Sequence, residues 1–176
     1  MPDGLSVRAA TAADAAAIDT VVCAAFAATE FGHQGEADLV RMVEADADGI
    51  VSLIAEGDGA VVGHILFSRM DVEADGAPLS AAGLAPLSVI PGKQGQGIGG
   101  MLIRAGLCAL RERGIAISFV LGHDGYYPSF GYSPALAAHF DSPYAGPHFM
   151  AMMLDSGTSW PLGGRADYAP AFSRIG

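Results

Sequence analysis

The 176-residue sequence predicts one domain of the α/β or α+β class, built on a mixed sheet. Two turn signals, Gly57-Asp58-Gly59 and Asp75-Gly76, separate apolar runs and indicate antiparallel hairpins in the first half. An amphipathic helical stretch over 97–113 then lies between two apolar runs, as in a helical crossover between parallel strands. Hydrophobic residues make up 51% of the chain and charged residues 16%, which argues against a disordered protein.

The first elements follow in order from the N-terminus. Residues 5–9 predict a short strand, and Thr11 is suited to cap the helix that comes next. Apolar residues at helical spacing mark that helix at Ile18, Val21, Val22, Ala25 and Phe26, and a second helix at Leu39, Met42 and Val43. The composition of 31–35 predicts a loop between the two helices.

Strands over 50–55, 60–70 and 80–90 come next, and the helix over 97–113 ends at Gly114, a residue type favoured after helix C-termini. Three further elements complete the domain, which we delimit at 1–155: a strand over 115–121, a short helix over 125–130 and a strand over 148–154. Trp160, Pro161 and paired glycines follow. Their composition predicts that residues 156–176 form a loosely packed tail.

Charge and hydropathy exclude several classes of partner. The net charge is −10 and the sequence has no basic cluster, so nucleic acid is disfavoured. The charge-free stretch 77–92 contains three prolines and is too short to span a membrane, and the N-terminus has no apolar signal core. Cys23 and Cys108 lie in apolar helical patterns and are predicted to be reduced core thiols, which favours a cytoplasmic location.

The glycine-rich turn after the strand over 80–90 is the most informative segment. Gly95, Gly97, Gly99 and Gly100 fall within six residues at the start of the next helix. Glycine lets the backbone approach a ligand closely, and the first N–H groups of a helix are unpaired and carry partial positive charge. Such a turn predicts a site for a phosphate or pyrophosphate.

Several interpretations of this turn compete. Residues 95–100 spell the dinucleotide fingerprint G-x-G-x-x-G, and Asp124 lies about where a ribose-binding acid belongs. That fingerprint usually opens a parallel βαβ unit, however, whereas here strands joined by tight turns come first. A nucleotide-triphosphate loop fails because no G-K-[ST] follows. A turn without any ligand would leave several glycines as a cost in stability without a role.

Acyl-CoA is the remaining interpretation, and two motifs carry it. Gln94-x-x-Gly97-x-Gly99 resembles the pyrophosphate-binding motif of the GNAT superfamily, the acetyl-CoA-dependent N-acetyltransferases. Tyr127-x-x-x-Gly131-Tyr132 resembles that family's Y-x-x-x-G-F element, and residues 62–68 and 120–132 are similar to its YhbS-like branch. The two motifs occur in order, and the resemblance covers about residues 5–155.

The resemblance implies a GNAT-like fold, a twisted and mostly antiparallel sheet flanked by helices, with two splayed parallel strands at its centre. The pantetheine arm of acetyl-CoA would pair with the backbone of Leu87, Ser88 and Val89, as an added strand does. The pyrophosphate would lie on the amides of Gln94, Gly95, Gln96, Gly97, Ile98, Gly99 and Gly100. Gln94 stands where many relatives carry Arg, so amides and the helix dipole would supply the affinity.

The resemblance also implies direct transfer of an acetyl group to a primary amine. Tyr127 would give a proton to the departing sulfur as general acid, and the N–H of Val89 could hold the oxyanion. Phenols have a reference pKa of about 10, so this side chain keeps its proton at neutral pH. Tyr126 is expected to pack, and Asp124 to cap a helix.

The general base is left open. Many relatives use a Glu on the strand before the loop, but here residues 80–90 contain no carboxylate. Glu36, His33, His64, His123 or water are the candidates, and each side chain also has an ordinary structural explanation. The missing carboxylate suggests a second hypothesis, a CoA-binding sensor without turnover, although the retained Tyr127 argues against it.

The remaining partners follow from the same resemblance. The acceptor would be a small-molecule or peptide amine, which no motif in the sequence identifies. Dimers are common among relatives, so a homodimer stays open. The cysteines and histidines are scattered and predict no metal site.

Overall fold

A computed structural model describes residues 4–27, 35–155 and 157–175. Five helices and nine strands are assigned in these residues. In chain order they are β1 (Leu5–Ala9), α1 (Ala15–Ala27), α2 (Gly35–Ala45), β2 (Gly49–Gly57), β3 (Ala60–Ala74), β4 (Ala77–Pro78), β5 (Ala81–Val89), α3 (Ile98–Glu112), β6 (Ile117–Leu121), α4 (Pro134–Ala137), β7 (Phe140–Asp141), β8 (Phe149–Met153), β9 (Gly164–Tyr168) and α5 (Ala171–Arg174).

The strands form one mixed sheet with the central order β1-β2-β3-β5-β6-β8. Neighbours along this path are antiparallel except for β5 and β6, which are parallel and joined through α3. This arrangement confirms the predicted fold class, a mostly antiparallel sheet with one helical crossover between central parallel strands.

Helices cover both faces of the sheet. Neighbouring residues of β3 point to opposite faces, and both faces carry apolar side chains that pack against helices. Ile65 and Phe67 belong to the core that packs against α3. Leu66, between them, belongs to the core formed with α1 and α2. A ligand that enters between two strands of this sheet can therefore be contacted from both helical layers.

The C-terminal segment corrects one expectation, since it does not pack loosely throughout. Strand β9 pairs with Met70–Ala74 of β3, beyond the end of β2, and Ala166 and Ala171 are fully buried. These small side chains pack into the core although the residues just before β9 are rich in glycine and proline. Residues 164–175 are thus part of the fold.

The expectation that the cysteines lie in the core was wrong. Cys23 and Cys108 are free and exposed, on the outer sides of α1 and α3. Their neighbours Val22 and Leu107 take the buried positions instead. Alanine-rich helices carry apolar residues on more than one side, so the periodicity there did not define a single inward stripe.

Candidate active site

Strands β5 and β6 separate about halfway along β5, close to the end of β6. Their parallel pairing runs from Ala81 opposite Ile117 to Leu84 opposite Val120 and then stops. Strand β5 continues to Val89 and remains paired with β3 on its other side. Residues 85–89 therefore border an opening in the middle of the sheet, which agrees with the splayed strands that the family resemblance implies.

The backbone of β5 alternates between the two sides of this strand. The N–H of Ile90 donates to the carbonyl of Val62 at 3.0 Å, which makes this pair a hydrogen-bonded one of the antiparallel ladder. Alternation then directs the N–H and C=O groups of Val89 and Leu87 away from β3, toward the opening. Ser88 differs from the sequence expectation, because its backbone groups are directed to β3 and its side chain is buried.

The glycine cradle, defined as residues 94–100, leads from β5 into α3. Gly95 and Gly97 have φ angles of 74° and 83°, which favour glycine, and a Cβ at either position would meet nothing within 4 Å. Helix α3 starts at Ile98, whose side chain is buried, and no side chain caps the helix. N–H groups without a side-chain cap at the positive end of a 15-residue helix fit a phosphate group.

Side chains around the cradle are arranged in ways that the sequence did not reveal. The Nε2 of Gln94 donates to the carbonyl of Val89 at 2.9 Å, so this amide holds the loop against β5. Lys93 is paired with Asp58 at 3.1 Å. A Cβ on Gly99 would come within 2.9 Å of the Tyr126 hydroxyl, which shows that this ring lies on the cradle.

Arg104 lies beside the cradle, and the sequence reasoning missed it. Its guanidinium lies 5.4 Å from the centre of the Phe130 ring, and its Nη2 would be 3.0 Å from a Cβ on Gly100. The signal was available, since residues four apart on a helix share a face. One exposed cation therefore lies beside a turn where Gln94 supplies none.

Tyr127 lies at the other end of the opening, just after β6. Its ring packs directly on the backbone of Gly122, where a Cβ would come within 2.5 Å of the ring. Burial raises the pKa of Tyr127 to about 12, with a smaller contribution from Tyr126. The phenol therefore stays protonated at neutral pH and can act as a hydrogen-bond or proton donor.

A cavity of about 440 Å³ lies at the opening. Its walls come from β5, from the end of β6 and from α2, β9 and α5, and Tyr127 lines it. Most of the lining is apolar. Among its described residues, the titratable side chains other than tyrosines are Glu36 and His123. The cavity is large enough for a small organic group beside the Tyr127 ring.

The four side chains considered as general base differ in their positions relative to the cavity. Glu36 and His123 line the same cavity as Tyr127. His64 is fully buried, its Nε2 is 2.9 Å from the Ser52 hydroxyl, and burial lowers its pKa to about 4, so it is a neutral structural residue at pH 7. His33 lies outside the described residues.

Neither a metal site nor a membrane-spanning helix is found in the part of the chain that the structure describes. Within 4–27, 35–155 and 157–175, no group of three or more His, Cys, Asp or Glu side chains could hold a metal ion. Among the same residues, no helix is both long enough and apolar enough to cross a membrane.

Comparison with known proteins identifies relatives of this arrangement. Residues 6–135 match the acetyltransferase (GNAT) domain family. The chain is 43% identical over 138 residues to the uncharacterized N-acetyltransferase YjhQ of Escherichia coli K12, which covers 75% of this chain and 76% of that protein. It is 38% identical over 112 residues to the uncharacterized N-acetyltransferase YhbS of the same strain, with coverage of 63% and 65%.

Solved structures agree with the family match. A GNAT family acetyltransferase from Brucella melitensis, in complex with acetyl-CoA, has a TM-score of 0.79 and 37% identity over 96% of this chain and 97% of its own. Escherichia coli YhbS in complex with CoA has a TM-score of 0.83 and 29% identity, over 98% and 94%. The chain belongs to the GNAT acetyltransferase family, which confirms the predicted class of acetyl-CoA-dependent N-acetyltransferase.

Proposed function

We propose that this protein transfers the acetyl group of acetyl-CoA directly to a primary amine, with Tyr127 as the general acid. The observation that carries the proposal is the opening between β5 and β6, which begins where pairing stops at Leu84 and Val120. The glycine cradle lies at one end of this opening, and the cavity with Tyr127 lies at the other.

The cradle and β5 are suited to hold acetyl-CoA. Free N–H groups at the start of α3 would bind the pyrophosphate, helped by the helix dipole. The outward N–H and C=O groups of Leu87 and the outward C=O of Val89 would pair with the pantetheine amides, as an added strand would. Ser88 is left out of this role because its backbone is already paired with β3. Bound acetyl-CoA supplies a thioester, an activated form of the acetyl group.

Groups at the opening would then transfer the protons of the reaction and stabilise its developing negative charge. The carbon–nitrogen bond forms as the carbon–sulfur bond breaks. The amine nitrogen would lose a proton to a base, for which Glu36, His123 and water are the candidates at the cavity, and the sulfur would gain one from Tyr127. Tyr127 is protonated and would donate to the sulfur, since burial keeps its pKa at about 12. The N–H of Val89, directed into the opening, would donate to the carbonyl oxygen as negative charge develops there.

Calorimetry and a turnover assay test this proposal together. Acetyl-CoA, CoA and NADH are each titrated into the protein in separate experiments. Thiol release from acetyl-CoA is then followed with a panel of primary amines. We expect binding of acetyl-CoA and CoA, no comparable binding of NADH, and amine-dependent thiol release. Preference for NADH would overturn the CoA assignment. Binding of acetyl-CoA without turnover for any amine would favour a CoA-binding sensor instead.

A further inference from the structure

We infer that the acceptor is a primary amine carried on an uncharged, apolar body, with its nitrogen at Glu36 and its body against an aromatic wall of the cavity. This inference rests on the proposed function, because it assigns the second substrate of the same site. It draws on the side chains of α2, β9 and α5, which the family motifs do not include.

The aromatic wall consists of Tyr144, Tyr168 and Phe172. The ring centres of Tyr144 and Tyr168 are 5.1 Å apart, and those of Tyr168 and Phe172 are 4.7 Å apart, so the rings form one continuous surface. A Cβ on Gly83 of β5 would come within 2.6 Å of the Tyr168 ring, which fixes the wall against the edge of the opening. A wall of this kind binds the apolar part of a ligand by removing it from water.

Glu36 supplies the one carboxylate among the described residues of the cavity lining. It lies in the first turn of α2, and its Oε2 is buried without a hydrogen-bond partner. No lysine or arginine forms an ion pair with it within the described parts of the chain. A partly buried carboxylate without a partner is costly, and an amine that donates a hydrogen bond to it offsets that cost.

The absence of lysine and arginine from the described cavity lining indicates which acceptor bodies fit. An acceptor that carries its own carboxylate next to the amine, as an amino acid does, would therefore place a second anion near Glu36 without a lysine or arginine in this lining to pair it. The net charge of −10 adds a general preference for cationic over anionic ligands. An apolar amine satisfies both Glu36 and the wall.

A panel of matched amines tests this with the intact protein. The amines are 2-phenylethylamine and hexylamine, which have apolar bodies; phenylalanine, which adds a carboxylate to the first; and ethanolamine, which lacks an apolar body. We measure kcat/KM from thiol release with saturating acetyl-CoA. Both apolar amines should exceed phenylalanine and ethanolamine by about tenfold or more. Equal or better turnover of phenylalanine or ethanolamine would overturn the inference.

Two variants on α2 test the role of Glu36. Glu36→Gln keeps the shape and removes the charge, and we expect it to lower kcat/KM for 2-phenylethylamine by about tenfold or more. Glu44→Gln changes an exposed carboxylate on the same helix and should leave kcat/KM unchanged. The calorimetric Kd for acetyl-CoA should be the same in both variants and the parent, which also verifies folding. Unchanged kcat/KM in Glu36→Gln would remove Glu36 from acceptor recognition.

The outcomes also separate this inference from the proposed function. If acetyl-CoA does not bind the parent protein, the proposed function fails and the inference fails with it. If acetyl-CoA binds and only amines with charged or polar bodies are acetylated, the acetyltransferase proposal stands and the acceptor class is wrong.

Discussion

The glycine cradle and the cavity meet at one opening of the sheet but are built in opposite ways. The cradle is one continuous segment, 94–100, and presents backbone groups at the start of α3. The cavity collects side chains from α2, β5, β6, β9 and α5, which are far apart in the sequence. Backbone recognition depends on helix geometry and glycine, whereas the cavity can change its ligand through single side chains. Substitutions in the cradle should therefore change the Kd for acetyl-CoA, and substitutions around the cavity should change turnover.

Tyr127→Phe should have the largest effect, on turnover alone. Without the hydroxyl, no proton reaches the departing sulfur from this side chain, and we expect kcat to fall by about 10²-fold or more. Calorimetry should give an unchanged Kd for acetyl-CoA. Tyr126→Phe removes the neighbouring hydroxyl, which lies on the cradle and not in the cavity, and should keep kcat near that of the parent. Equal kcat in parent and Tyr127→Phe would reduce Tyr127 to a packing role.

The pH dependence of the parent sharpens the same point. Because burial holds the pKa of Tyr127 at about 12, the phenol is half ionised only at about pH 12 and stays almost fully protonated up to about pH 10. Its ionisation therefore should cause no decline of kcat as the pH rises from about 7 to about 10, where an unshifted phenol would begin to titrate. A decline of kcat in that range that disappears in Tyr127→Phe would contradict the raised pKa.

Gly97→Val should weaken acetyl-CoA binding about tenfold or more, because a branched side chain would occupy the anion site beside the start of α3. The matched control is Gly76→Val, in the turn between β3 and β4. The two glycines have φ angles of 83° and 82°, and a Cβ at either position would meet no atom within 4 Å, so the backbone strain is comparable. Equal Kd values for the two folded variants would remove the cradle from acetyl-CoA binding.

Gly122→Ala tests how the end of β6 positions Tyr127. The added Cβ would lie within 2.5 Å of the ring, so the ring must move, and we expect kcat to fall about tenfold while the Kd for acetyl-CoA stays the same. Gly125→Ala, in the same loop, meets no atom within 4 Å and serves as the control. In a Tyr127→Phe background, Gly122→Ala should cause little further loss. If Gly122→Ala lowered kcat equally in the parent and in the Tyr127→Phe background, Gly122 would not act by positioning Tyr127.

The same contrast explains how much the sequence could predict. The cradle and the Tyr127 motif are local patterns, so their residue types and spacing were sufficient, together with the resemblance, to predict the fold and the class of enzyme. The orientation of Ser88 depends on its pairing with β3, which no local pattern records. Glu36 and Phe172 meet only after α2 and α5 pack on one face of the sheet, so the sequence could name Glu36 but not its neighbours.

Arg104→Gln should have the smallest effect, because the guanidinium lies at the exposed edge of the cradle rather than inside it. Exposed ion pairs contribute at most about 1 kcal/mol, so we expect the Kd for acetyl-CoA to rise roughly two- to fivefold at low salt. The difference from the parent should shrink in about 1 M salt, where charges are screened within roughly 3 Å. Arg113→Gln, at the other end of α3, should leave the Kd unchanged. Equal effects of the two variants would mean that Arg104 contributes only to the overall charge, and the cradle would then bind through its backbone alone.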